Sequence, residues 1–442
     1  MPTQRKIWVY NGLIEQYSDN YLKTTHGSLA CTTCHGGDVN ASTRALAHTG
    51  TWQAIPGSDK CGGCHAAIVA SSDNSLHTTL GGYVKTLGDR GFDFGGATQA
   101  ERFGEQCTKC HVANSSGKGA CGFCHVSVPT TAGGGFLNGH NFRFTPDMER
   151  NCTACHGSRV KDEFFGLNNA LITRNDLGMG SVEPDVHFAR TQGIDNATGL
   201  PKGCAFCHSG SEMHGAGAPS PAGSGGRYDV TGTPKCTGCH AVTGTNFIHS
   251  SGHLATMDCQ VCHAQPYKNC FGCHTDIDVG NTGLPFYKSN EGDQTLAVRP
   301  EGSAPDALMT FRIGKNPLWL GTGDTGNKKY AVLRHSPVDK DVFRYPLAAP
   351  VDNLIPNVTA LSTWRYATPH NIQRNLLGTS SSFASFDVGN CNNCHGAAYA
   401  DHWLTNPVAD SKGWLQPAYQ ADDNTANVNV IQPTAPPMLA TP

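Results

Sequence analysis

The sequence predicts a fold made mostly of loops with short α-helices, wrapped around a buried stack that the polypeptide itself does not supply, with a few short β-strands within residues 275–390. Three observations carry this. All 20 cysteines fall in ten copies of one pentapeptide, Cys-x-x-Cys-His. The apolar fraction is 38% and the charged fraction 15%, where soluble domains carry about 25% charge, so side chains for an ordinary core and an ordinary surface are both scarce. The 52 glycines are about 12% of the 442 residues against a usual share of about 7%, which favours turns over long regular elements.

The ten motifs are Cys31, Cys34 and His35; Cys61, Cys64 and His65; Cys107, Cys110 and His111; Cys121, Cys124 and His125; Cys152, Cys155 and His156; Cys204, Cys207 and His208; Cys236, Cys239 and His240; Cys259, Cys262 and His263; Cys270, Cys273 and His274; and Cys391, Cys394 and His395. Two thiols three residues apart lie on one side of a helical turn and reach the two vinyl groups of one porphyrin, while the next residue's imidazole meets the iron. One copy is a moderate signal, and ten with no cysteine left over are a specific one. A disulfide framework gives no reason for a histidine after every second cysteine. Zinc ribbons pair two Cys-x-x-Cys units at a set separation, whereas the starts here lie 11 residues apart (Cys259 to Cys270) to 121 apart (Cys270 to Cys391). The pattern predicts ten covalent haem c groups, with the motif cysteines as attachment points and the motif histidines as iron ligands.

Ten porphyrins would supply much of the buried apolar surface, so a chain lacking them should be largely unfolded. The formal charge of −3 omits the cofactors. Each ferric haem core adds about +1 and its propionates about −2, bringing the holoprotein to roughly −13 and full reduction to roughly −23. Many of the 32 Lys and Arg are then expected to face propionates. No basic run is present, and nothing in this balance suggests nucleic acid. No window of 18 apolar residues occurs, so no transmembrane helix is expected. The N-terminus, Met1 to Trp8, lacks the apolar centre of a signal peptide. Covalent haem attachment follows export, so the expectation is a mature form whose leader has been removed, located in the periplasm, at the cell surface or outside the cell.

Along the chain, residues 1–274 hold nine motifs without a constant period, so they are not a solenoid. Clusters such as Gly133-Gly134-Gly135 and Ala216 to Gly226 read as loops. Short helices are expected at the motifs, with longer ones near Arg5 to Tyr21 and His249 to Met257. Residues 275–390 carry no motif, and Leu296 to Val298, Leu308 to Ile313 and Tyr330 to Leu333 read as short strands. A boundary near Thr275 is expected, but His335 and His370 within this stretch suggest that it folds back onto the stack. Residues 391–423 contain the tenth motif, and the tail 424–442, with Pro433, Pro436, Pro437 and Pro442, should run extended.

Eleven histidines lie outside the motifs: His26, His48, His77, His140, His187, His214, His249, His253, His335, His370 and His402. Ten irons need ten distal ligands, so the count closes with one to spare. His402, late in the chain beside Trp403, is the candidate surplus, and the other ten are the candidate distal ligands. The seven methionines fit this role poorly, and methionine ligation would raise the potential where two imidazoles keep it low. His249 and His253, four apart, are placed to serve two neighbouring haems. His26 and His214 stand too close in sequence to their own motifs to reach the far face of the same iron, and so should cross to adjacent haems.

On these motifs and spare histidines the chain resembles the multihaem c-type cytochromes of respiratory and extracellular electron transfer. The resemblance spans residues 26 to 402, and segments such as Gly139-His140-Asn141-Phe142 and Thr368-Pro369-His370-Asn371 look like distal-ligand sites of that group. It implies haems packed in close stacked and T-shaped pairs, with Cys107/Cys121 and Cys259/Cys270 as the candidate close pairs. Outer-surface decahaem reductases carry β-barrel domains with extra cysteines, and none remain here. Octahaem enzymes often replace a motif His with Lys, and all ten motifs here end in His. The leading expectation is an electron-transfer protein, not an enzyme, with redox-partner cytochromes or extracellular acceptors. Self-association head to tail into a filament is favoured within that class, because ordering a Pro-rich tail needs a contact and a spare histidine permits a ligand donated across an interface. A multihaem oxidoreductase with one open iron, and a decahaem conduit seated in an outer-membrane porin, are the competing readings.

Overall fold

A computed structural model of the chain describes residues 24–82, 121–130, 135–147, 149–167, 183–191, 203–218, 230–242, 249, 252–265, 311–315, 330–335 and 364–374. Within them the helices are α1 (Thr25–Ser28), α2 (Cys31–His35), α3 (Arg44–Ala47), α4 (Ser58–Cys61), α5 (Ala66–Ser72), α6 (Leu76–Thr79), α7 (Cys121–His125), α8 (Arg150–His156), α9 (Asp162–Phe165), α10 (Phe188–Thr191), α11 (Gly210–Met213), α12 (His253–Thr256) and α13 (Cys259–His263). No single α-helix exceeds seven residues, a length at which helix formation in water is unfavourable without outside support, although α8 continues through a π-helical stretch, Gly157–Lys161, into α9. Four motifs lie wholly on α-helix (α2, α7, α8 and α13), one begins at the end of α4, and two begin as 3₁₀ turns, Gly203–Phe206 and Cys236–Gly238.

Side-chain caps start several of these turns. Thr24 accepts from the Gly27 N–H at 3.0 Å, Thr43 from Leu46 at 3.3 Å, Ser75 from His77 at 3.1 Å and Ser209 from Glu212 at 3.1 Å. Helix α2 ends at Gly36, whose φ of +68° lies in the region that glycine adopts freely. A Cβ there would collide with the carbonyl of Thr51.

The chain divides into two compact units, each assembled from separated stretches. The first comprises Met1–Tyr83, Cys107–Gly157 and Arg190–Thr233; the second comprises Val84–Gln106, Ser158–Ala189 and Pro234–Pro442. In the first unit, among the described residues, Ala154 and Pro129 are buried, together with the polar Ser58, Ser72, Ser75, Asn151 and Thr153. Val39, Leu46, Trp52, Ile55, Ile68, Leu137 and Phe144 are exposed. A two-stranded antiparallel hairpin, β1 (Val128–Pro129) with β2 (Phe136–Leu137), pairs Val128 with Leu137.

The second unit has a polypeptide core. Strands β3 (Phe311–Lys315), β4 (Tyr330–His335) and β5 (Trp364–Tyr366) form an antiparallel sheet in the order β3-β4-β5, with Ile313 opposite Val332 and Leu333 opposite Tyr366. Ala331, Val332 and Leu333 are consecutive and all buried, as in a strand covered on both faces. Strand β4 contacts α13, whose Val261 is buried, and the Asp258 N–H donates to the Tyr330 carbonyl at 2.8 Å. Farther on, the Gln265 N–H donates to the Asn371 carbonyl at 2.8 Å, so parts of the 275–390 stretch pack directly on the 259–263 motif.

Strands β3 and β4 overlap the strand-like runs at Leu308 to Ile313 and Tyr330 to Leu333, while β5 and the β1-β2 hairpin carry no comparable sequence signal. The expected helix near Arg5 to Tyr21, the run Leu296 to Val298, the glycines at 133 and 134, residues 219–226, the boundary near Thr275 and the tail 424–442 lie outside the described residues.

Candidate metal centres

Seven of the ten motifs lie in the described residues. Outside them lie Cys107, Cys110 and His111, then Cys270, Cys273 and His274, then Cys391, Cys394 and His395, together with His402. One member each of the expected close pairs Cys107/Cys121 and Cys259/Cys270 therefore falls outside. The structure instead brings first cysteines of other motifs together. Cys61 and Cys121 are hydrogen-bonded, as are Cys152 and Cys204, and Cys236 and Cys259. Hydrogen bonding from Cys61 lowers the Cys121 thiol to about 7, and that from Cys236 lowers Cys259 to about 6, while Cys61 and Cys236 are pushed up by the same contacts.

The second cysteines of the motifs stand outside these three contacts. Cys64, Cys207 and Cys239 are exposed, and Cys34, Cys155 and Cys262 are half-buried. Among the described residues neither these nor Cys124 is in a disulfide. Within one motif, then, the two attachment candidates differ: Cys61 faces another motif's thiol while Cys64 is exposed to solvent, and Cys204 and Cys236 likewise face other motifs' thiols while Cys207 and Cys239 are exposed.

The imidazoles pair across the fold. Ring centroids lie 6.0 Å apart for His26 and His65, 5.9 Å for His35 and His140, 6.3 Å for His77 and His156, and 6.0 Å for His125 and His214. These four pairs belong to the first unit. The second unit holds His187 with His240 at 5.9 Å and His249 with His263 at 6.3 Å. Every pair joins one motif histidine to one histidine outside the motifs, and no residue is used twice.

The separation matches what two imidazoles on opposite sides of one metal would show. With a metal–nitrogen bond of about 2 Å and a ring centre about 1.1 Å beyond the nitrogen, two imidazoles on opposite sides of one iron have centroids about 6.2 Å apart. The interplanar angles range from 14° for His125 and His214 to 87° for His77 and His156. A constant distance with a free angle fits rotation about a metal–nitrogen axis; ring stacking or edge contact would select angles. Among the described residues no three His, Cys, Asp or Glu side chains gather as a metal cluster.

Ring orientation is set by acceptors at Nδ1. The His35 Nδ1 lies 2.9 Å from the Gln53 carbonyl oxygen, that of His125 2.9 Å from Arg143, and that of His263 3.0 Å from Gln373. A carbonyl can only accept, so the proton sits on Nδ1 and the Nε2 lone pair is left for a metal. In all three cases the same residue's N–H donates back to the histidine carbonyl, at 2.7 Å from Gln53, 2.9 Å from Arg143 and 2.8 Å from Gln373. This two-bond clamp recurs although its partner is 18 residues away for His35 and His125 and 110 away for His263. It consists of backbone groups, so no residue type advertises it in the sequence. His370 donates from Nδ1 to the Thr368 carbonyl at 2.9 Å, while its N–H donates to the buried carboxylate of Glu163 at 2.7 Å.

Two rings differ. The His187 Nδ1 lies 2.9 Å from Asp185 Oδ1, and the His208 Nδ1 lies 3.1 and 3.2 Å from the two carboxylate oxygens of Glu212. Elsewhere, Ser71 and Ser75 donate to the carbonyls of His214 and Met213 at 2.7 and 2.9 Å, anchoring the His214 turn to α5 and α6. His26 stacks on Phe142 at 4.6 Å. Burial holds the His26 and His214 imidazoles below their ordinary pKa, with the facing His65 and His125 adding to the effect, which favours the neutral, ligating form.

The six pairs use neither the motif residues His111, His208, His274 and His395 nor His48, His253, His335, His370 and His402. His48 packs edge-on against Trp52 at 4.6 Å, and His253 opens α12. His26 faces the 61–65 motif and not its own neighbour at 31–35; His214 faces the 121–125 motif and not 204–208. His249 faces the 259–263 motif. No protein-family profile, curated protein or solved structure matches this chain.

Proposed function

We propose that this chain is an electron-transfer protein that binds ten c-type haems through its Cys-x-x-Cys-His motifs, each iron held between two imidazoles. One observation carries the reading: six one-to-one pairs of a motif and a non-motif histidine at 5.9–6.3 Å. Haem, when bound, supplies a one-electron ferric/ferrous couple. The protein's own part is mechanical and electrostatic. His35, His65, His125, His156, His240 and His263 would hold the irons as motif ligands, and His140, His26, His214, His77, His187 and His249 would be their second protein ligands. At these six irons both faces would be taken, leaving no position for a substrate there, and on that basis the chain is read as a carrier. The backbone clamps on His35, His125 and His263 fix tautomer and ring plane, keeping the ligand set the same in both oxidation states. The adjoining cysteines Cys61/Cys121, Cys152/Cys204 and Cys236/Cys259 bring attachment points of different motifs side by side, as close spacing of redox centres requires. Their motif partners Cys64, Cys124, Cys155, Cys207, Cys239 and Cys262 would take the second thioether of each porphyrin.

Covalent haem implies an exported protein, at the cell surface or outside the cell or in the periplasm, working with redox-partner cytochromes or extracellular acceptors. Among the described residues no helix is long and apolar enough to cross a membrane. Head-to-tail association of copies into a filament would lengthen the path, and we propose it as the mode of assembly.

The three thiol contacts between motifs favour a second reading, a disulfide-linked chain. The two are separated by intact mass under non-reducing conditions together with the pyridine haemochrome spectrum. Ten haem additions and no mass loss from disulfide formation are expected; fewer additions, with thiols oxidised in pairs, would sink the haem stoichiometry.

A further inference from the structure

We propose that Asp185 and Glu212 are tuning residues that lower the reduction potential of two particular irons, the one between His187 and His240 and the one bound by His208. The inference rests on the haem reading above. Four Nδ1 groups, on His35, His125, His263 and His370, donate to neutral peptide carbonyls, whereas those of His187 and His208 donate to carboxylates. A hydrogen bond to an ionised acceptor is roughly twice as strong as a neutral one. It draws the Nδ1 proton outward and makes Nε2 a better donor, and an outer partner of this kind raises ligand basicity. A more basic imidazole, with a fixed negative charge beside it, favours ferric over ferrous iron, and hydrogen bonding and net charge are among the protein's levers on potential.

Burial keeps these charges from being screened. The side chains of Asp185 and Glu212 are 4% and 10% exposed. Asp185 is also rigidly placed. Its Oδ1 accepts from the His187 N–H at 2.8 Å as well as from the ring, and its Oδ2 accepts from the Ile372 N–H at 2.6 Å. Glu212 lies one helical turn beyond its histidine on α11, whose cap is Ser209 accepting from the Glu212 N–H. Among the ten motifs, a glutamate four residues after the histidine occurs at His208 alone.

The test is potentiometric titration of the purified holoprotein, followed optically, for wild type, Asp185→Asn, Glu212→Gln and Asp185→Glu, with haem content and low-temperature EPR recorded on each. Asn and Gln keep an oxygen acceptor and remove the charge. In Asp185→Asn one centre's share of the haem absorbance should move to higher potential while the ferric haem stays low-spin. Glu212→Gln should likewise move one share to higher potential, and Asp185→Glu should restore most of the wild-type curve. A merely structural role predicts loss of low-spin haem instead of a moved wave. Titration curves that coincide with wild type at full haem content overturn the proposal. If Asp185→Asn does not accumulate, because the Ile372 contact is lost, Glu212→Gln alone decides. Wild-type protein without covalent haem would instead remove the functional reading on which this rests.

Discussion

A motif histidine bonded at both its carbonyl and its Nδ1 has its ring plane and the direction of its Nε2 set by the fold. His35, His125 and His263 share this arrangement, and His140, His214 and His249 face them. On the proposed haem reading the distal residues would be less constrained by covalent chemistry, because thioether bonds would hold the porphyrin whether or not a second imidazole is present. His140→Ala is therefore expected to leave all ten haems attached and to convert one iron, that of the Cys31–His35 motif, to a high-spin or water-ligated form. Ferric EPR and carbon monoxide binding to the reduced protein read this directly. An unchanged low-spin spectrum would mean that His140 is not the ligand facing His35.

The elements are short helical turns whose stability comes from what they are tied to. Helices α5, α6 and α11 of the first unit form one such assembly. Ser75 caps α6 beneath His77 and donates to the Met213 carbonyl, and Ser71 holds His214. The chain turns out of α11 at Gly215, with φ +92°, and a Cβ there would run into the Ser71 carbonyl. Gly215→Ala combines backbone strain of about 1–3 kcal/mol with that clash. A lowered thermal midpoint in circular dichroism is expected, together with partial loss of the low-spin signal as His214 moves off His125. A variant as stable as wild type would show that the α5-α11 contact is not maintained in the holoprotein.

At the scale of the whole molecule, the two units differ in what they bury. The described part of the first buries mainly polar groups and leaves Trp52, Ile55 and Phe144 exposed, while the second packs Val261, Ala264, Ala331, Val332, Leu333 and Ala367. On the proposed electron-transfer reading, joining copies end to end would lengthen the path, and a head-to-tail contact propagates where an isologous one closes. Removal of residues 424–442 is expected to weaken polymerisation while leaving haem content and visible spectrum unchanged. Light scattering and electron micrographs of full-length and truncated holoprotein compare the two, and full-length protein that stays monomeric at high concentration ends the filament proposal.

Thiol spacing and ligand counts can be read from the chain alone because they are local or additive. A Cys-x-x-Cys-His turn carries its chemistry within five residues, and ten motif histidines against eleven others state a supply without any coordinates. The buried run Ala331 to Leu333 is likewise visible as a β-branched and apolar stretch. Partner choice is not of this kind. His187 meets His240 and His263 is clamped by Gln373 through closures of 53 and 110 residues, and nothing within either segment encodes the other. The clamps are built from peptide groups that every residue owns, so composition is silent about them. Asp185 acts on His187 only because the chain turns its carboxylate back to the ring two residues on. Such pairings follow from how the folded chain closes on itself, where long-range geometry, and not residue type, selects which groups meet.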